Sequence, residues 1–198
     1  LTNASNANTI DITTFKLVPE ASDVVVEESI FLLDDFESYA EQADLDEVYT
    51  HRVPNAGENH NDEHILLGDF GQEESQGVRF MIGEHDVTGW DLFRTKSDID
   101  KTGLTDDYDY FGFWFQSDDI STIYVWLYWS GSQNSVSVDV SAIAADGGYV
   151  VVPLSSWGKT ATQINAFAIG YDLVDPPIQG TVYLDDIMFL TSPEALEE

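Results

Sequence analysis

Residues 121–131 read STIYVWLYWSG. On an extended chain Val125, Leu127 and Trp129 fall on one side and Tyr124, Trp126 and Tyr128 on the other. One side is apolar and suits a core; the other is a row of amphipathic aromatics. This alternation marks a strand with one buried face. It returns in GVRFMIGE (77–84), YFGFWFQS (110–117), SVSVDVS (135–141), GGYVVVPL (147–154), INAFAIGYDL (164–173) and TVYLDDIMFL (181–190). Gly, Pro, Asn and Asp clusters separate the runs. The pattern predicts an all-β chain folded as a β-sandwich jelly roll of two antiparallel sheets. The best helical stretch is FESYAEQADLDEVY (36–49), and VDPPIQG (174–180) reads as a turn.

The chain has 198 residues, of which 43% are hydrophobic and 13% aromatic, enough for one sizeable core. Its formal net charge is −30, with seven Lys and Arg against 37 Asp and Glu. Such a surface disfavours nucleic acid, anionic lipids and acidic polysaccharides, and leaves neutral ligands and cations as partners. Solubility in a salty medium accounts for the acidity equally well. There is no cysteine, which excludes disulfides but not secretion. No apolar run approaches the roughly 18 residues a membrane helix needs. The start at Leu1 reads as a mature or excised fragment.

The runs divide the chain into a sandwich at 29–191, a linker at 192–198, and a leading 1–28 that opens Asn-, Thr- and Ser-rich. IDITTFKLVPEA (10–21) matches LDDIMFLTSPEA (184–195) at five of twelve positions. Residues 1–28 are therefore either linker or the closing strand of a preceding, similar module in a tandem array, with chance similarity as the alternative.

Two Asp pairs interrupt apolar strands, in LLDDFES (32–38) and YLDDIMF (183–189). Period two places Asp35 and Glu37 with Leu33, and Asp185 with Tyr183, Ile187 and Phe189. A carboxylate among core side chains is costly unless paired or bound to a cation, and Lys and Arg are too few to pair generally. The hard oxygens of Glu37 and Asp185, with Asp35 as a third, suit a structural Ca²⁺ joining the first and last strands. Solvated strand ends are the alternative. In NHNDEH (59–64), His60, Asp62 and His64 have a zinc-like spacing but sit in a loop composition. His51 and His85 are isolated. No strand aligns the paired carboxylates of a glycosidase, and no Ser-His-Asp set, phosphate loop or dinucleotide motif is present.

LLDDFES opening the domain and INAFAIGYD…GTVYLDDIMF closing it resemble jelly-roll carbohydrate-binding modules, especially those of family 11. DYFGFWFQS followed by STIYVWLYWSG is similar to that family's central strand pair, and the resemblance spans residues 31–190. It implies a non-catalytic module that binds calcium structurally, at positions matching Glu37, Asp185 and Asp35, and grips β-glucan in a concave groove. The acidic stretch at 94–109 does not match.

The residues argue for a groove on their own terms. Sugar rings stack their C–H faces on aromatic side chains, and Tyr hydroxyls and Trp N–H groups bond to sugar hydroxyls. Tyr124, Trp126 and Tyr128 supply such a row at about 7 Å spacing. Alternation adds Trp114, which lies opposite the core residues Phe111, Phe113 and Phe115. It also adds Arg79, opposite Val78, Phe80 and Ile82, as a hydrogen-bond donor. Ala166, Ala168 and Gly170 would form a smooth floor, and Trp90 would rim the groove or plug an edge. The expected protein is a secreted or cell-surface, calcium-stabilised module that binds a neutral polysaccharide, β-glucan favoured, beside neighbouring domains of a larger protein. The competing expectation is an adhesive or structural repeat without a sugar site, in which the Trp126 face is buried. A small polysaccharide-degrading enzyme is the third.

Overall fold

The computed structural model describes residues 9–10, 29–52, 64–72, 75–82, 90–172 and 180–196; the side chains of residues 9, 10, 52, 90, 91 and 172 are not described. Among the described residues, twelve strands and one short α-helix follow in chain order. They are β1 (Thr9–Ile10), β2 (Ile30–Asp34), α1 (Gln42–Val48), β3 (Tyr49–Arg52), β4 (Ile65–Gly68), β5 (Gly77–Ile82) and β6 (Trp90–Thr95). The rest are β7 (Tyr110–Gln116), β8 (Thr122–Trp129), β9 (Ser132–Asp139), β10 (Gly148–Pro153), β11 (Ala166–Asp172) and β12 (Gly180–Leu190).

They form the expected sandwich. Sheet A runs β1-β9-β8-β11-β6-β3; sheet B runs β10-β7-β12-β5-β4, with β2 also on β12. Every pairing is antiparallel except β1 on β9, where Thr9 and Ile10 stand beside Ser137 and Val138 in parallel. At least this part of the leading segment thus joins the sandwich. Residues 11–28, including the rest of the echo, and His60 and Asp62 lie outside the described residues. Beyond β12, Pro193–Leu196 form a 3₁₀ turn, and Ala195 packs on Met188 and Leu190 rather than running free as linker.

The inward side chains follow the alternation. Ile123, Val125 and Leu127 from β8 meet Phe111, Phe113 and Phe115 from β7, all fully buried. Phe80, Phe93, Phe167 and Phe189 add to the aromatic interior.

Period two fails in one strand. In β12 Val182 and Leu184 face the core, and so do Ile187 and Phe189. Asp185 and Asp186 together occupy the gap, and the register with β7 shifts between Asp185 and Met188. The Asp pair is a β-bulge, with Asp186 at φ +48°. Asp185 therefore shares the outer face with Tyr183, and Ile187 and Phe189 do not join it.

The first Asp pair differs. Asp34 ends β2, and Phe36, at φ +59°, turns the chain and is fully buried. The Asp34 carboxylate accepts the Tyr39 hydroxyl at 2.6 Å, the Tyr49 hydroxyl at 2.7 Å and the Phe36 amide at 2.8 Å. Burial, reinforced by Asp34, holds both phenols well above the usual tyrosine range, so they stay protonated and donate. Asp34→Ala should leave the buried Tyr49 hydroxyl without its acceptor and cost about 3 kcal/mol in urea unfolding. Asp34→Asn, which keeps an acceptor, should cost less.

Candidate functional site

The outer face of sheet A is built around β8. Tyr124, Trp126 and Tyr128 point away from the core, and the Tyr124 and Trp126 rings lie 5.5 Å apart. On β11 the in-register neighbours are Gly170, Ala168 and Ala166, so small residues do flank the aromatic row. Beyond them β6 contributes Leu92 and Arg94. On the other side β9 contributes Ser137, Ser135 and Gln133. Arg94 places its guanidinium carbon 4.4 Å from the Tyr128 ring centroid, a cation–π stack. Its Nε is buried and has no hydrogen-bond partner among the described residues.

Exposure is uneven along this row. Tyr124 and Tyr128 are half-buried, whereas Trp126 is only 5% exposed and packs with Leu92 and Ala168. The open row of three stacking rings is thus corrected to two accessible flanks around a packed indole.

The expected single groove is also divided. Trp114 and Arg79 belong to β7 and β5 of sheet B and face outward there, on the far side of the sandwich from Tyr124. Alternation reveals whether a residue points in or out, but not to which sheet its strand belongs. Trp114 is 7% exposed, because the Gly147 turn lies against it; a Cβ on Gly147 would stand 2.6 Å from the indole. Trp90 opens β6 opposite Asp172, and its side chain lies outside the described residues. Arg94 was missed in the sequence because it opens the acidic stretch. Its parity with Leu92 in WDLFRT was the available signal.

The three expected calcium ligands line a common cavity. Asp35, Glu37 and Asp185, with Asp186, Gln72 and Ser75, line one cavity of about 360 Å³ on sheet B. Asp185 is 2% exposed. Its Oδ2 accepts from the Ser75 hydroxyl at 2.7 Å and the Gln72 amide at 3.1 Å, and its Oδ1 from the Asp186 amide at 2.8 Å. The loop presses close: a Cβ on Gly71 would stand 2.2 Å from Asp185 Oδ2. Glu37 accepts the Gln76 amide at 2.7 Å, and Asp186 the Tyr149 hydroxyl at 2.5 Å. Four carboxylates and a hydroxyl are hard-oxygen donors of the kind calcium takes. Among the described residues, however, no three acidic or histidine side chains converge closely enough to hold an ion as they stand. The donor chemistry fits; the spacing would have to contract.

His51 and His64 are both buried, with rings 5.0 Å apart beside Phe80, in the core rather than in either outer face.

No protein-family model matches the chain, and no curated protein does. Solved structures of carbohydrate-binding modules share its fold. A family 28 module specific for non-crystalline cellulose aligns over 89% of this chain and 99% of its own, at 13% identity and TM-score 0.52. A family 30 module of a cellulosomal cellulase from Clostridium thermocellum aligns over 82% and 99%, at 11% identity and TM-score 0.50. A family 11 module from the same organism covers 82% and 95%, at 12% identity and TM-score 0.49. The fold is therefore that of the jelly-roll carbohydrate-binding modules.

Burial, opposed by the Ser75 hydroxyl and reinforced by the Asp186 charge, pushes the Asp185 carboxyl up from 3.8 to about 6. A raised carboxyl favours the protonated native state. Without divalent cations its cost is therefore absent below about 3.8, grows as pH rises through 6, and is complete above it. In chelator, Asp185→Asn should gain stability relative to the wild-type protein between pH about 4 and about 7.5, read as the difference in Tm. A pH-independent difference would contradict this assignment.

Proposed function

We propose that this chain is a non-catalytic carbohydrate-binding module of a secreted or cell-surface protein. It holds a neutral polysaccharide, most naturally a β-glucan, on the outer face of sheet A. The observation that carries this reading is the Tyr124–Trp126–Tyr128 row with Arg94 stacked beside it, its buried Nε without a hydrogen-bond partner among the described residues. Tyr124 and Tyr128, roughly 13 Å apart along the strand, would take the apolar faces of sugars. Trp126 between them would hold their spacing, and the edge of the guanidinium would donate to sugar hydroxyls. The fold shared with carbohydrate-binding modules supports the class, and the net charge of −30 favours an uncharged ligand.

Calcium belongs to the same reading. Asp35, Glu37 and Asp185 would hold the ion in the sheet B cavity, which would neutralise the acidic cluster there. The low exposure of Trp126 favours the competing reading, a structural or adhesive module without a sugar site.

Affinity electrophoresis in a panel of neutral glucans separates the two. A sugar-binding module is retarded, and Tyr124→Ala, Tyr128→Ala and Arg94→Ala each weaken retention about tenfold, or about 1.4 kcal/mol. Unretarded wild-type protein would leave only the structural reading. For calcium, saturation near 100 times Kd contributes about 2.7 kcal/mol, so chelation should lower Tm by roughly 5–10 °C. An unchanged midpoint would remove the ion from the account.

A further inference from the structure

We propose that the outer face of sheet B carries a second, separate sugar platform, formed by Phe70, Arg79 and Tyr183. This rests on the sugar-binding reading above and extends it to the opposite side of the sandwich.

The platform follows from three local features. Val78, Phe80 and Ile82 fill the core, so β5 turns Arg79 outward. Tyr183 stands directly beside it on β12, and Gln116 flanks Tyr183 on β7. Phe70 comes from the turn after β4, where its amide donates to the Gly68 carbonyl at 2.7 Å. A Cβ on Gly68 would stand 2.8 Å from the Phe70 ring, so the glycine makes room for the ring to fold back. The loop carrying Phe70 is tied down just beyond it, where Gln72 and Ser75 bond to Asp185.

The resulting geometry resembles a binding surface rather than a packed layer. The Phe70 and Tyr183 rings lie 5.9 Å apart, and the guanidinium of Arg79 sits 5.5 Å over Phe70. All three residues are half-buried, unlike Trp126 on the other face. Among the described residues, the buried Arg79 Nε has no hydrogen-bond partner. A cation would be repelled by Arg79, and a polyanion by the protein's overall charge. A neutral sugar meets the remaining requirements: C–H faces for two aromatic rings and hydroxyls for a guanidinium and a phenol.

Calorimetric titration with cellohexaose and with a mixed-linked β-glucan hexasaccharide tests this, with near-UV circular dichroism as the check on folding. The wild-type protein should bind one oligosaccharide on each face. Arg79→Ala and Tyr183→Ala should each weaken the sheet B site about tenfold and leave the sheet A site intact. Arg79→Lys should weaken it as well, since an ammonium lacks the planar fork. The Tyr124→Ala/Tyr128→Ala double variant should keep the sheet B site. If that double variant abolishes all binding, or if folded Arg79→Ala and Tyr183→Ala bind like wild type, the second platform is overturned and the sheet A reading survives. If the wild-type protein binds neither sugar, both fall.

Discussion

The bulge at Asp185–Asp186 governs how sheet B is assembled. β12 is its central strand and bonds to β7 along one side. Along the other it bonds first to β5, through Gly180–Leu184, and then to β2, through Ile187–Leu190. An unbroken alternation would keep Val182 and Leu184 inward but turn Ile187 and Phe189 to solvent. One extra residue restores the phase, so both halves of the strand face the core. A left-handed conformation at a non-glycine residue costs about 1 kcal/mol, and aspartate tolerates it better than most. The bonds from the Asp186 amide to Asp185 and from the Tyr149 hydroxyl to Asp186 hold that conformation in place.

The bulge also explains why carboxylates stand where apolar side chains were expected. It aims Asp185 outward into a cavity that the opening segment of the domain completes with Asp35 and Glu37. The two Asp pairs therefore meet across the β2–β12 contact but do different work. Asp34 is spent inward on two phenols and an amide, fixing the turn after β2. Asp185 is held by the Gln72 amide and the Ser75 hydroxyl, and burial raises its carboxyl.

Much of this was legible in the sequence. Alternation in β5, β7 and β8 placed Phe80, Phe113 and Val125 in the core correctly, although Trp114 and Trp126 on the outer faces are covered as well. The helix at 42–48 lay within the expected 36–49. The terminal Asp motifs point to one end of the sandwich, and Asp35, Glu37 and Asp185 line one cavity there without converging as a ligand set. What failed depended on long-range pairing. A bulge has no period of its own, so Ile187 and Phe189 were assigned to the face of Asp185. Sheet membership is set by partners far along the chain, so Trp114 and Arg79 were placed in one groove with Tyr124. Phe70 folds back against the bare backbone of Gly68, a close approach that no hydrophobic pattern records.

The three arginines of this chain are outnumbered heavily by carboxylates, yet two of them, Arg79 and Arg94, lie on opposite outer faces against aromatic rings. The physics of a very acidic surface accounts for this choice. In the field of a net charge of −30 a guanidinium is stabilised at long range wherever it sits. A direct ion pair adds little on an exposed surface and would occupy the donors. Stacking on a ring instead uses the face of the guanidinium and leaves its in-plane N–H groups available. Each arginine is thereby fixed in orientation by an interaction that does not consume its hydrogen-bonding edge. That is the requirement for recognising an uncharged, hydroxyl-rich ligand.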